Sequence, residues 1–285
     1  MGTLCKLAYL VLTVEWSLAL LFKYRFQSIA LAALLWGGWA LGNPKPALAQ
    51  SFSVLPIRVY LGGSAQSQEL QITNESPNRQ RFQLSVSAWE QNEQGEMQLS
   101  ETQDVIAFPQ LFEMAGGETR LLRVGTRVPP TTKERTYRVF IQQLPTPGTQ
   151  GETPPPSQGV QLNLLVRVGI PIFVAPAQPI KDGKIDQLTV QKNKVSLVVS
   201  STGNVHLLTS SIAIKGYDSA GKVMFQGDLG GGYILAGSRR NFQEELPQEN
   251  CSAITSVGVE VQIDPEQGKP LNFTEKIETP NGVCK

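Results

Sequence analysis

From about residue 51 onward, apolar residues recur at every second position, and Gly, Pro, Asn and Ser break the runs. That period places alternate side chains on one face of an extended chain, so the pattern predicts β structure. The most regular stretch is Val160 to Val168, reading Val-Gln-Leu-Asn-Leu-Leu-Val-Arg-Val. Val160, Leu162, Leu164, Val166 and Val168 share one face of such a strand; Gln161, Asn163 and Arg167 share the other, with Leu165 as the apolar exception. Gly169-Ile170-Pro171 follows it. Two readings are open. One is a half-buried antiparallel strand. The other is an edge strand whose apolar row is offered to another chain.

Before this stretch, strands are predicted at Ser51 to Tyr60, Gln68 to Thr73, Arg81 to Glu90, Val105 to Phe108, Glu118 to Val124 and Tyr137 to Leu144. Turn residues separate them at Gly62-Gly63-Ser64, Asn74 to Asn78, Asn92 to Gly95 and Gly116-Gly117. Short strands at this spacing fit an immunoglobulin-like β-sandwich. Pro145 to Gly159, rich in proline and glycine, reads as a flexible loop feeding into Val160. Pro176 and Pro179 mark a domain boundary. Beyond it, Lys194 to Ser200, Leu207 to Tyr217, Lys222 to Gln226, Arg239 to Leu246, Ile254 to Ile263 and Leu271 to Ile277 are further strands, with a hairpin signal at Asp218 to Gly221. Gly230-Gly231-Gly232 is a loop, because no Gly-Lys-Ser/Thr and no helical pattern follow it. The whole is therefore all-β: a leader over 1–49, a first sandwich over 50–175 and a second over 176–285.

The first 49 residues break the pattern. Two apolar runs, Leu7 to Phe22 and Ile29 to Leu41, flank Lys23 and Arg25 and end in Ala47-Leu48-Ala49-Gln50. Basic residues, an apolar run of signal length and Ala-x-Ala predict an export signal cleaved after Ala49. A retained anchor is the alternative, but each run is shorter than the ~20 residues a spanning helix needs. The full chain carries a net charge of +1. Loss of Lys6, Lys23, Arg25 and Lys45 together with Glu15 leaves 21 basic and 23 acidic residues, a balance that speaks against nucleic-acid binding. Cys5 leaves with the leader. Cys251 and Cys284 remain as candidates for a disulfide, with two free thiols as the alternative.

Catalytic chemistry has little to stand on. The single histidine, His206, sits where a turn enters a strand and reads as a satisfied turn residue rather than a ligand or base. Glu244 and Glu245 are adjacent on a strand and point to opposite faces. Cys251 has no evident partner base, and Arg239-Arg240 reads as a solvated strand end. No enzyme activity, metal, cofactor or small-molecule substrate is expected.

Residues 52 to about 179 resemble the N-terminal domain of PapD-like periplasmic pilus chaperones. The likeness runs through Ile57-Arg58-Val59-Tyr60, Ile72-Thr73-Asn74, Ala88-Trp89, Phe108-Pro109, Gly117 with Arg123, and Glu134 before Tyr137. It continues through Ile141 to Pro145 and Ile170-Pro171-Ile172-Phe173 with Pro176, and more weakly through Asn204, Gly221 and Ile234-Leu235 before Gly237. The resemblance implies two immunoglobulin-like domains in an L shape. It also implies partners: pilus, fimbrial or spore-coat-like subunits, and an outer-membrane usher. The chaperone lends a strand to complete the subunit's sandwich in the periplasm. By position Val160, Leu162, Leu164 and Val166 would fill the subunit's groove. Arg58 would grip the subunit's C-terminal carboxylate, a task suited to a guanidinium. The family's second cation, a Lys, is replaced here by Pro171. Arg167 or another cation substitutes, or Arg58 acts alone, or the subunit end binds differently. Glu134 belongs to the family's interdomain ion pair, but Ala175 replaces its arginine. The alternative function is an exported immunoglobulin-like adhesion or scaffold protein.

Overall fold

A computed structural model describes residues 52–145, 164–191, 193–249, 251–265 and 270–279. In chain order its strands are β1 (Phe52–Leu55), β2 (Val59–Leu61), β3 (Ser67–Asn74), β4 (Gln80–Gln91), β5 (Met97–Glu101), β6 (Val105–Phe108), β7 (Leu111–Met114), β8 (Thr119–Thr126) and β9 (Arg135–Leu144). There follow β10 (Arg167–Val174), β11 (Gly183–Gln191), β12 (Lys194–Ser201), β13 (Leu207–Tyr217), β14 (Val223–Asp228), β15 (Gly232–Ile234), β16 (Arg239–Glu245), β17 (Ser256–Ile263) and β18 (Leu271–Glu278). A single 3-10 turn, Cys251–Ala253, is the one helical element among the described residues.

The strands form two sandwiches, as the alternation predicts. In the first, a sheet ordered β1-β3-β8-β6 faces a sheet ordered β2-β10-β9-β4-β5, with β7 paired to β4. Each strand sends its alternate apolar residues inward: Leu70 and Ile72, Phe82 and Leu84, Leu122 and Val124, Val139 and Ile141, Ile170 and Ile172. Most of these side chains are fully enclosed. Burying each is worth roughly 1.5–3 kcal/mol, so the inward rows fix both sheet faces. In the second, β11-β12-β16 faces β14-β13-β17-β18, with β15 on β13, around Leu197, Val199, Ile212, Ile214, Val259 and Val261.

Three sequence expectations change. The predicted strand Ser51 to Tyr60 is two strands: β1 joins one sheet and β2 the other. Pro56, which lacks an N–H, lies at the crossover between them. The predicted strand Val160 to Val168 is displaced downstream. β10 starts at Arg167 and runs through Gly169, Ile170 and Pro171, which the sequence reading placed after the strand. Leu164, Leu165 and Val166 precede it, while Val160 and Leu162 lie outside the described residues. Pro171 is tolerated because of the pairing geometry. Val166 accepts a bond from the Gln143 N–H at 2.9 Å, and the Val168↔Ile141 and Ile170↔Val139 pairs continue that phase. Residues 167, 169 and 171 therefore turn their backbone polar groups away from β9, and the missing N–H breaks no bond to it. Finally, Arg239-Arg240 is a solvated strand end only in part: Arg239 opens β16, exposed, and binds Glu93 at 2.6 Å, whereas Arg240 is half-buried over the Phe242 ring at 4.8 Å.

Candidate functional site

β10 is the strand on which the site is built. Its core face carries Val168, Ile170, Ile172 and Val174. On one side it pairs along its whole length with β9, from Arg167↔Gln142 to Val174↔Arg135. On the other it pairs with β2 only from Ile172 to Val174, in parallel. Upstream of Ile172, between Arg167 and Pro171, no strand among the described residues pairs with that second edge, and it is open in that sense. The apolar row continues outward from it: Leu164 is 74% and Val166 38% exposed. These two predicted groove-filling residues thus lie beside an open strand edge.

The opposite face of β10 looks into a cleft shared with the second sandwich. Phe173 stacks on Tyr60 with centroids 5.6 Å apart and on His206 at 3.7 Å. Trp89 meets Tyr233 edge-on at 5.4 Å, and Leu235 closes the cluster. Arg58 stands at the entry to β2, half-exposed, and donates its Nε–H to the Tyr233 hydroxyl at 2.9 Å. It therefore sits where the open edge ends, since β2 occupies the edge from the next residue on.

Two further arginines share this face. Arg138 pairs across the sheet with Pro171. Its guanidinium lies 4.2 Å over the Trp89 ring and reaches the Gly169 carbonyl at 3.5 Å. Burial holds it below the ordinary arginine value, with Tyr233 acting the other way, and its Nε has no acceptor among the described residues. Arg167 is exposed, with its guanidinium 4.0 Å over the Phe140 ring. It lies four residues upstream of Pro171, or about 13 Å along an extended strand. Among the described residues neither Arg138 nor Arg167 has a carboxylate within ion-pair reach. Gly169 lies between them. A Cβ there would meet Phe140 Cε1 at 2.8 Å, so glycine is needed for the ring and the guanidinium to pass over the strand.

Glu134 leads into β9 and crosses to the second sandwich. Its Oε1 accepts the His206 backbone N–H at 3.0 Å and lies 2.8 Å from His206 Nδ1, with both side chains about 95% buried. Against a carboxylate the imidazole presents Nδ1–H. His206 thus stands where the resemblance expects an arginine at Ala175. Asn204 binds the adjoining loops. Its amide donates to the Thr132 and Gln178 carbonyls, each at 2.9 Å, and its carbonyl accepts the Ile180 N–H at 2.7 Å. Sequence reasoning missed Arg138. The signal available was its β9 position on the polar side of the alternation, facing a strand that carries proline where a cation was expected.

An open strand edge that ends at a basic, aromatic cleft has the geometry that strand addition by a polypeptide uses. Residues 51–179 match the family described as pili and flagellar-assembly chaperone, PapD N-terminal domain, so the first sandwich is a domain of that kind. Among solved structures, one similar chain is in the CsuC–CsuE chaperone–tip adhesion subunit pre-assembly complex from archaic chaperone–usher Csu pili of Acinetobacter baumannii. It is 17% identical, covers 78% of this chain and 98% of its own, and has a TM-score of 0.53. The YadV chaperone is 14% identical over 80% of this chain and 99% of its own, with a TM-score of 0.53. The complex of the Salmonella enterica SafA pilin with the SafB chaperone gives 17% identity over 82% and 99%, with a TM-score of 0.50. At these identities the likeness carries the two-sandwich fold. A search among curated proteins finds no match.

Proposed function

We propose that this protein is a periplasmic chaperone that holds pilus or fimbrial subunits by lending the edge of β10, then passes them to an outer-membrane usher. The observation that carries the reading is the edge itself, open from Arg167 to Pro171, flanked by exposed Leu164 and Val166 and ended by β2 beside Arg58. An incoming strand gains backbone pairing along the open edge. Val160, Leu162, Leu164 and Val166 would each bury an aliphatic side chain in the subunit, on the order of 6–12 kcal/mol gross before ordering costs.

Direction follows from charge. The incoming strand must stop where β2 begins, beside Arg58 and within reach of Arg138. Running parallel to β10, it brings its C-terminal carboxylate to these two guanidiniums; running antiparallel, it brings an ammonium. Arg138 is thus the second cation in place of the lysine lost at Pro171, reaching over Gly169 from the neighbouring strand. The export signal through Ala49 and a Cys251–Cys284 disulfide fit a periplasmic site. Cys251 is fully buried and disulfide-bonded; Cys284 lies outside the described residues.

The test is co-expression of the chain from Gln50 with exported small β-rich proteins of the same genome, followed by pull-down and mass spectrometry. The expected result is one such subunit recovered at one-to-one. Leu164→Glu should weaken capture by roughly tenfold or more, since it forfeits about 1.5–3 kcal/mol of burial and buries a charge. Undiminished capture by correctly folded Leu164→Glu would refute strand lending.

A further inference from the structure

We infer that Arg167 is a specificity device: it selects partners whose terminal strand carries an acidic side chain two or four residues before its last. The inference rests on the strand-lending reading and adds the chemistry of what is lent to. Residues 167, 169 and 171 of β10 share the cleft face, while Val168 and Ile170 face the core and Leu164 and Val166 continue that alternation upstream of the strand, exposed. A strand added to the open edge inherits the same alternation, so one of its faces is apolar and the other passes the arginines. Its carboxylate rests by Arg58 and Arg138, near the level of Gly169 to Pro171. Counting back on the cleft face, the residue that comes level with Arg167 is two to four before the last.

Three features make Arg167 a reader rather than a loose surface charge. Its guanidinium is held 4.0 Å over Phe140, a ring only 7% exposed, so the side chain is already placed on the cleft face. Among the described residues no carboxylate competes for it. Glycine at 169 lets the Phe140 ring lie over the strand between Arg167 and Arg138, so the ring that carries the Arg167 guanidinium is seated on the cleft face. A carboxylate there makes charge-assisted bonds to a cation that needs no reordering, whereas a lysine at that point meets repulsion from Arg167 and Arg138.

The test uses the chain from Gln50 and three twelve-residue peptides of alternating apolar and polar residues with a free C-terminus. The second and fourth residues before the last are both Glu, both Gln or both Lys. Affinity is read from peptide anisotropy at two salt concentrations. The Glu peptide should bind about fivefold tighter than the Gln peptide, and the Lys peptide weakest, with the Glu advantage shrinking at high salt. Arg167→Gln should abolish that advantage, while Arg58→Gln should weaken all three peptides and leave their ranking. Equal affinity for Glu and Gln peptides, with both lost in Leu164→Glu, overturns the acidic selectivity and leaves strand lending standing. Peptides that ignore Leu164→Glu, or that fail to bind at all, overturn strand lending and this inference with it.

Discussion

Replacing Glu134 with alanine should loosen the two sandwiches from each other before either unfolds. One oxygen of Glu134 satisfies two donors of His206, at 3.0 and 2.8 Å, in a place where both side chains are about 95% enclosed. Removing it takes the Glu134 acceptor from two buried donors, each worth about 1–3 kcal/mol, so Glu134→Ala should cost roughly 2–6 kcal/mol. Glu134→Gln keeps an oxygen in place and loses only the charge assistance, about 1 kcal/mol. A double-mutant cycle with His206→Ala should return a coupling of about 1.5–3 kcal/mol. The assay is urea unfolding followed by tryptophan emission. Past Ala49 the chain has one tryptophan, Trp89, and it packs in the same cluster as His206 and Tyr233. In Glu134→Ala its emission should shift red ahead of the main transition. A coupling below about 0.5 kcal/mol, with Trp89 emission tracking the main transition, would refute the claim that this pair latches the sandwiches.

Tyr137 donates to Asp104 at 2.7 Å, and burial first, then that carboxylate, pushes its phenol up to about 12. Tyr137→Phe should cost about 1–2 kcal/mol in melting experiments, and an absorbance titration should lose the tyrosine that titrates at about 12. Acid should weaken the fold through Glu118, Asp186 and Asp228. The Ala115 N–H and Arg120 hold Glu118 below its ordinary 4.5, Lys184 holds Asp186 below 3.8, and the Gly230 N–H and Ser211 do the same for Asp228. A carboxyl lowered by folding contributes fully above its unfolded value and loses the contribution as pH falls through the folded one. The melting temperature should therefore hold down to about pH 4.5 and fall below it, less steeply in Asp228→Asn than in the parent.

Much of the architecture was legible because alternation is a local signal. Leu70 and Ile72, or Val259 and Val261, announce a buried face without knowledge of the partner strand. What was misread turned on pairing, which is not local. Pro171 looked like a strand end because proline cannot donate; only the phase of the β9 ladder shows that no donor was needed there. Met97 to Glu101 was missed because β5 is an edge strand with every residue exposed, so it has no buried row to show. The cleft divides the same way. Arg58 was found through the resemblance, and Glu134 likewise. Arg138 and the His206 partnership were not, because each depends on a contact between residues far apart in the chain.

These placements bear on how a strand lent as proposed would keep its register. Strands have a side-chain period of two, so a slip of one residue would turn the apolar row of Leu164 and Val166 to the wrong face and bring Leu165 and Arg167 into the groove. Apolar pairing alone penalises that slip but does not set an absolute position, since a shift by two restores the alternation. An end stop does. β2 closes the edge at Ile172, and the cations beside that stop favour a chain end carrying negative charge. Phe173, stacked between Tyr60 and His206, fixes the stop to the interdomain latch through Glu134. A displacement of the latch would thus move the end stop, and the register would follow it. The end stop at Ile172 and Phe173 and the open edge before it are therefore parts of one strand, β10, and a chaperone that lent this edge as proposed would measure its partner's terminal strand from the cleft outward.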